Sequence, residues 1–404
     1  MSDTVSIVLV GIGGYGNNYV RGLLENPKRF EYDFNIVGVV DPNPCGARMI
    51  DKIRELKIPI FSTLEEFYEN NSADLAVIST PIQFHSIQTC LALSKGSNVL
   101  CEKPLSSTPR EALKMIECRD KFGKFVSIGY QWSHNRAIHE LKEDIMSGIF
   151  GKPVRLKTLV QWARTDTYFK RGWAGKLKDS EGRPINDSIA NNATAHYIHN
   201  MFYILGDRVD TSIRPATVTA ELYRANKIEN YDTAMMRTIT ENGVEIMYFG
   251  THATKKHYGP VFRYEFEKAA IEFEEKGDRD SSIITANFND GSTKAYTTNP
   301  FNDTLVKLWN AILAVKGKAK ILCPPEAALS HTLCIQGMQD SKPQITNFPE
   351  EMVKWTEDLR DGHSGTYAKG LDEAIERCYE NWALPSELGV PWACPGKEIQ
   401  IAKK

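Results

Sequence analysis

Six residues, Gly11-Ile12-Gly13-Gly14-Tyr15-Gly16, follow the apolar run Val5–Val10 and open a stretch that puts Tyr19, Val20, Leu23 and Leu24 on one helical face. A Gly-x-Gly-x-x-Gly between a strand and a helix is built to receive a dinucleotide pyrophosphate. The first glycine permits a tight turn, the second lets the backbone approach the phosphates, and the third allows the helix to pack closely on the strand. The free N–H groups and dipole of the helix start then favour the negative charge. The next strand, ending at Val40, is followed by Asp41. That acid lies somewhat beyond the usual spacing of roughly 20 residues, because a polar segment from Lys28 to Asp33 intervenes. Its carboxylate can accept from ribose hydroxyls and would repel a 2′-phosphate, and Pro42-Asn43-Pro44 supplies no cation to bind one. The pattern therefore predicts NAD rather than NADP.

Two further strand ends carry small or charged residues. Ile78-Ser79-Thr80-Pro81 suits the floor of a cofactor site at the carboxyl edge of a parallel sheet. In Cys101-Glu102-Lys103-Pro104 the proline restrains the backbone and ends the strand, aiming Lys103 toward the same edge. By type alone Lys103 reads as a solvated surface lysine. Its company gives it another reading. The glycine turn, Ile78 to Pro81 with His85, and Glu102-Lys103-Pro104, in that order and spacing, resemble the glucose–fructose oxidoreductase / inositol dehydrogenase / rhizopine-catabolism (Gfo/Idh/MocA) family. Glu-Lys-Pro is the most specific step, and the resemblance covers residues 5–206 well and continues by element order to about 340. It implies a catalytic Lys103, with Ser79, Thr80, Pro81, His85, Glu102 and Lys103 around the cofactor, and a second domain whose large open sheet builds homodimers or homotetramers.

The same family carries Asp-x-Gly-x-His-x-x-Asp around a catalytic histidine. The aligned stretch here, Asn192 to His199, keeps only His196. Asn192 replaces the first acid, Thr194 the glycine and His199 the second acid, so the catalytic role carries over to His196 and its carboxylate partner does not. At about 100° per residue a helix would place Asn192, His196 and His199 in one sector, opposite Ile198, Met201, Phe202 and Leu205. This predicts a polar face turned to a substrate cleft; the alternative is a set of satisfied polar residues on a core helix. Two histidines at i, i+3 with Asp187 are also conceivable metal ligands, but no spacing supplies a further one, and no metal is expected.

An insertion from Gln161 to Asp187 is rich in Arg164, Asp166, Tyr168, Arg171, Trp173, Lys176 and Asp187, which bind hydroxyls or acid groups and stack on sugar rings. Read blandly, it is a solvated loop. Its Arg171-Gly172-Trp173 segment is the expected specificity element. Asp232 and His252, on later strands, read equally as structural hydrogen bonders. The chemistry that fits is hydride exchange between nicotinamide and a hydroxyl carbon of a sugar, sugar derivative or cyclitol, His196 taking the hydroxyl proton and Lys103 polarising its oxygen. Two alternatives stay open: a redox-neutral glycosidase running oxidation, elimination, hydration and re-reduction, and an NAD-sensing protein without turnover.

The elements that must position these residues change rhythm near 130. Before it, apolar strands alternate with helices, an α/β pattern predicting a Rossmann fold with a parallel sheet over 1–130. From 131 to 404 an amphipathic helix precedes strand-like segments at 150–162, 214–225, 233–240, 243–252, 262–275 and 282–297, broken by a helix at 192–205. They predict an α+β domain with a large, mostly antiparallel open sheet. Helical patterns follow at 303–316, 325–338 and 366–382, then a Pro- and Gly-rich tail expected to pack as an irregular arm.

A chain of 404 residues with 42% hydrophobic and 25% charged side chains reads as two-domain and globular. Its net charge of −2 gives no field for nucleic acid. Neither a signal peptide nor a membrane span is expected, which places the protein in the cytoplasm. The eight cysteines lack zinc spacing and read as free thiols.

Overall fold

The computed structural model describes residues 4–275, 282–296, 299–301 and 303–402. Backbone packing divides the chain into two units, one of 1–135 with 303–329 and the other of 136–302 with 330–404.

In the first unit the apolar runs become β1 (Val5–Val10), β2 (Phe34–Val40), β3 (Ile60–Phe61), β4 (Leu75–Ile78), β5 (Asn98–Cys101) and β6 (Val126–Ile128). They form one parallel sheet in the order β3-β2-β1-β4-β5-β6. β4 is buried at all four positions, as a strand covered by helices on both faces must be. The two-residue β3 is too short for any periodicity to announce it. Crossovers run through α1 (Gly16–Glu25), α2 (Ile50–Glu55), α3 (Leu64–Asn70), α4 (His85–Ser94) and α5 (Pro109–Phe122). α5 shows how firmly the sequence sets such ends: Thr108 and Glu111 form a capping box and Gly123 closes it at φ 62°. The strand order reverses between β1 and β4, the crevice where open α/β sheets bind ligands.

The uninterrupted second domain expected from 131 onward differs from this division, since 303–329 belongs to the first unit. The helix Val306–Val315 places Leu308, Trp309, Ala311 and Ile312 in the same buried cluster as Ile7 and Leu9 of β1 and Tyr19 and Leu23 of α1. Burial of that apolar face outweighs sequence distance.

The second unit opens with α6 (Arg136–Ser147) and contains β7 (Pro153–Trp162), β8 (Pro215–Arg224), β9 (Thr233–Thr240), β10 (Glu245–Thr251), β11 (His257–Phe266), β12 (Ala269–Glu274), β13 (Ile284–Phe288), β14 (Thr293–Tyr296) and β15 (Thr346–Asn347). Their order is β14-β13-β12-β11-β7-β10-β9-β8-β15, antiparallel except at β7–β10 and β8–β15. The strand-like runs at 262–275 and 282–297 are each a hairpin, β11/β12 and β13/β14. Gly291, at φ 87°, turns the second, a signal carried by Asp290-Gly291. A further hairpin, Val353–Arg360 with His363–Ala368, occupies part of the region expected to be helical. Its turn is Asp361-Gly362 with φ of 52° and 73°, the backbone such a tight turn demands.

The C-terminal arm lays Trp392 edge-on against Tyr223 and Phe348, at ring distances of 5.1 and 5.2 Å. All eight cysteines are free thiols. No helix of the described residues is long and apolar enough to cross a membrane.

Candidate functional site

The glycine turn has the mechanics its spacing predicts. Gly11 sits at φ 80°, and a Cβ on it would lie 3.0 Å from the backbone of Ser79. On Gly16 a Cβ would fall 1.9 Å from the Gly11 carbonyl oxygen, so only glycine fits. On Gly13 it would meet nothing nearer than Asp41 Oδ2 at 3.9 Å, and on Gly14 nothing within 4 Å. The middle of the turn is thus bare backbone, which is what close approach of a pyrophosphate needs. Tyr15, at the start of α1, makes no side-chain cap, which leaves first-turn N–H groups for an anion. Asp41 Oδ2 accepts from Ile12 N–H at 2.9 Å and Oδ1 from Asn43 N–H at 2.9 Å, so the acid also buttresses the turn.

From this turn a series of hydrogen bonds crosses to the Glu102-Lys103-Pro104 segment. Ser79 Oγ donates to the Gly11 carbonyl at 2.7 Å. The His85 ring spans two carbonyl oxygens, Thr80 at 3.0 Å and Pro104 at 2.8 Å. His85 is 1% exposed, and burial holds its pKa below the ordinary histidine value against the pull of both carbonyls. Where the sequence led us to expect a cofactor contact, both His85 ring nitrogens face main-chain carbonyls, to one of which the neutral ring donates. Thr80 Oγ1 is likewise turned to Gln88 Oε1 at 2.6 Å, while Pro81 begins the short turn into α4.

Glu102 also departs from its expected place at the cofactor. Its carboxylate is buried, where it accepts from Tyr19 OH at 2.5 Å, from Lys307 Nζ, and from Lys103 N–H at 3.1 Å. Lys103 itself remains half-buried at the carboxyl edge. Lys307, 1% exposed, donates also to Gly129 O at 2.9 Å and lies 4.5 Å from the Tyr15 ring centre. Burial pulls its pKa down and the Glu102 charge more than reverses this, leaving it raised. Sequence reasoning missed Lys307; the available signal was a lysine inside the apolar run Val306-Lys307-Leu308-Trp309.

In the second unit the expected continuous helix through Asn192 is absent. Residues Ile189–Ala193 form a widened turn in which Thr194 N–H reaches Ile189 O at 3.0 Å, and α7 (Ala195–Ile204) begins only afterwards. The extra residue breaks the 100° register. His196 is half-buried, whereas His199, expected beside it on a substrate face, is fully buried and stacked on Tyr203 at 5.5 Å. Asn192 Nδ2 donates to Asp187 Oδ1 at 2.8 Å, and Asp187 Oδ2 accepts from Gly175 N–H at 2.6 Å. Asp187, 2% exposed, is therefore an internal brace and not a surface ligand for substrate. No group of three His, Cys, Asp or Glu residues is arranged to hold a metal among the described residues.

The insertion does gather Arg164, Tyr168, Arg171 and Trp173. The Arg171 guanidinium carbon lies 5.0 Å from the Tyr168 ring and 5.8 Å from Trp173, and that of Arg164 lies 5.1 Å from Tyr168. Asp166 turns away, accepting from Trp355 Nε1 at 3.0 Å and Ser364 Oγ at 2.8 Å. His252 is 2% exposed beneath this group, its ring 5.9 Å from Tyr168 and its Nδ1 2.8 Å from Trp162 O. Asp232 accepts from the backbone N–H groups of Ala225 and Asn226 at 3.0 and 2.8 Å, a structural turn anchor.

Residues 5–130 match the family model of Gfo/Idh/MocA, described as an oxidoreductase family with an NAD-binding Rossmann fold. They are a Gfo/Idh/MocA NAD-binding domain. Among curated relatives, the chain is 27% identical over 143 residues to 1-carboxy-3-chloro-3,4-dihydroxycyclohexa-1,5-diene dehydrogenase of Comamonas testosteroni, covering 35% of each protein. It is 26% identical over 152 residues to inositol 2-dehydrogenase of Salmonella typhimurium, 37% of this chain and 44% of that one. The chain thus matches less than half the length of these relatives. Over a longer span, the fold is similar to that of the WlbA dehydrogenase from Bordetella pertussis, solved with NADH and UDP-GlcNAcA (TM-score 0.66, 18% identity, 83% of this chain and 95% of that one).

Asn192 is held by the carboxylate of Asp187, which the widened turn at Ile189–Ala193 brings within reach.

Proposed function

We propose that the protein is an NAD(H)-dependent oxidoreductase acting at a hydroxyl carbon of a sugar, sugar derivative or cyclitol. The observation that carries this reading is the path of contacts Gly11–Ser79, Thr80–His85–Pro104, which sets the Lys103 turn beside the glycine turn on one sheet edge, the neutral His85 ring lying between the two carbonyls and donating to one of them. The bare backbone at Gly13 and Gly14 and the buttressed Asp41 fit a dinucleotide, with Asp41 left able to accept from ribose hydroxyls. When bound, NAD(H) supplies the acceptor or donor of hydride.

The remaining work is proton handling by this chain's own groups. A hydroxyl losing its carbon-bound hydrogen must also lose its O–H proton, and a side chain of suitable pKa has to take it. The reading gives that role to the His196 imidazole, with the Lys103 ammonium donating a hydrogen bond to the substrate oxygen. Glu102 keeps Lys103's backbone in place from behind, through its 3.1 Å bond to the Lys103 N–H. The working protein is read as a cytoplasmic homo-oligomer.

The test is a panel of sugars, sugar acids and cyclitols assayed for NADH formation, with Lys103→Met and His196→Ala tested separately. Turnover should fall by about 100-fold or more in each, while NAD affinity in Lys103→Met stays within about twofold of the parent. Full activity in either variant would remove that residue from the mechanism. Glycoside cleavage without net NADH would replace the reading with a redox-neutral one, and tight NAD binding with no turnover on any sugar with a sensing role.

A further inference from the structure

A cleft of about 410 Å³ in the second unit is lined by Arg164, Tyr168, Arg171, Arg360, Asp361 and His363 among others. Its walls come from two places far apart in sequence. Arg164 follows the end of β7, Tyr168 and Arg171 belong to the insertion, and Arg360 ends the first strand of the Asp361-Gly362 hairpin.

Three guanidinium groups thus face one carboxylate. That carboxylate, Asp361, is 3.2 Å from Arg360 Nε and 80% exposed, so water screens much of its charge. The other acids nearby are already engaged, Asp166 with Trp355 and Ser364, Asp187 with Asn192 and Gly175. Burial, and then repulsion from Arg360 and Arg171, lowers the Arg164 pKa despite Tyr168. His257, 3.1 Å from Arg360, is held below its usual pKa by burial and then by Arg360 and Arg164. His252 is held there by burial and then by Arg164. Along the cleft wall itself the guanidinium groups outnumber the carboxylate.

Arg164 also has hydrogen bonds to give. Its Nε is buried without a partner among the described residues. Its Nη1 reaches the Ala163 carbonyl at a long 3.4 Å, and the Tyr168 hydroxyl takes up a further part of the guanidinium. Leaving a buried charged donor unmade is costly, and a ligand oxyanion would satisfy it. The planar guanidinium fork suits the paired terminal oxygens of a carboxylate or phosphate, and Tyr168 lines the same cleft beside it.

The geometry points to an oxyanion subsite here: the cleft takes the carboxylate or phosphate of an acidic sugar, in preference to any neutral hexose or cyclitol. The anion site stands on the arginines; only the claim that its occupant is the substrate rests on the oxidoreductase reading.

The test measures binding by calorimetry of D-glucuronate, D-glucose 6-phosphate, inorganic phosphate and D-glucose to the full chain with NAD present. At least one anionic sugar should bind about tenfold or more tighter than glucose, with affinity falling as salt rises. The glucuronate and phosphate arms tell a carboxylate site from a phosphate site. Arg360→Met and Arg171→Met, both at solvent-reachable positions, should each weaken the anionic sugar by about tenfold or more and remove its advantage over glucose, leaving NAD affinity within about twofold. Failure of every anionic probe to outbind glucose, or anion affinity indifferent to both substitutions, overturns the inference. Arg-dependent anion binding without NADH formation would sink the oxidoreductase reading and keep the subsite. NADH formation from neutral sugars with no anion preference would do the reverse.

Discussion

Lys307 and Glu102 form an ion pair with side chains 1% and 6% exposed, directly behind the backbone of Lys103. The pair links a helix near the end of the first unit to the strand end that carries the proposed catalytic lysine. Removing one partner from a buried pair leaves an uncompensated charge, at a cost of about 3–5 kcal/mol. Lys307→Met should therefore lower unfolding free energy by that order in urea titrations. Adding Glu102→Gln should recover part of the loss, since the stranded charge is gone. Equal stability of the single and double variants would show that the charges are not coupled.

Two glycines of one turn should behave oppositely. A Cβ on Gly16 would overlap the Gly11 carbonyl at 1.9 Å, whereas one on Gly13 meets only Asp41 Oδ2 at 3.9 Å. Gly16→Ala is expected to lower the Tm clearly. Gly13→Ala is expected to keep the Tm and to weaken NAD by about tenfold or more, since the methyl group occupies the line of approach of the pyrophosphate. Thermal unfolding and NAD titration of the two proteins check both.

What was legible in the sequence was local. The glycine turn, Asp41 and the Glu-Lys-Pro strand end are short stretches whose conformations follow from their own residue types. What was illegible depended on distant partners or on one irregular turn. Glu102 reads as a cofactor residue until Lys307 arrives to bury it. His85 reads the same way until the Thr80 and Pro104 carbonyls close on its ring. The polar face came apart twice over: the widened turn Ile189–Ala193 takes Asn192 out of the helix register, and packing against Tyr203 buries His199. Arg360 escaped notice although Asp361-Gly362 signalled the turn beside it.

Two buried histidines should make the fold acid-sensitive. His85 and His252 both have pKa values below the ordinary one, chiefly through burial, with Arg164 adding repulsion at His252. A lowered folded pKa means that the unfolded chain binds more protons below about 6.5. Stability from these neutral rings is complete above that pH and is lost as pH falls from there toward the folded pKa values. Urea midpoints should drop between pH of about 7.5 and 5.5. In His252→Asn, which can still donate to the Trp162 carbonyl, the decline should be shallower; an unchanged slope would exclude His252 as a source.

Asp187 and Asp232 separate positioning from mere support. Both are buried carboxylates, 2% and 1% exposed, that accept from backbone N–H groups. Replacing either by Ala strands those donors and should cost about 2 kcal/mol or more. Only Asp187 also holds a side chain of the histidine motif, through its 2.8 Å bond from Asn192. If that bond serves catalysis, Asp187→Ala lowers kcat by about tenfold or more beyond its effect on stability, while Asp232→Ala shifts the Tm and leaves kcat within about twofold. Asn192→Asp would set a second carboxylate against Asp187, and like charges in contact disfavour both. It should therefore destabilise the parent and be tolerated better in Asp187→Asn, where the polarity of the pair is exchanged. Equal kcat losses in Asp187→Ala and Asp232→Ala would reduce Asp187 to a structural brace.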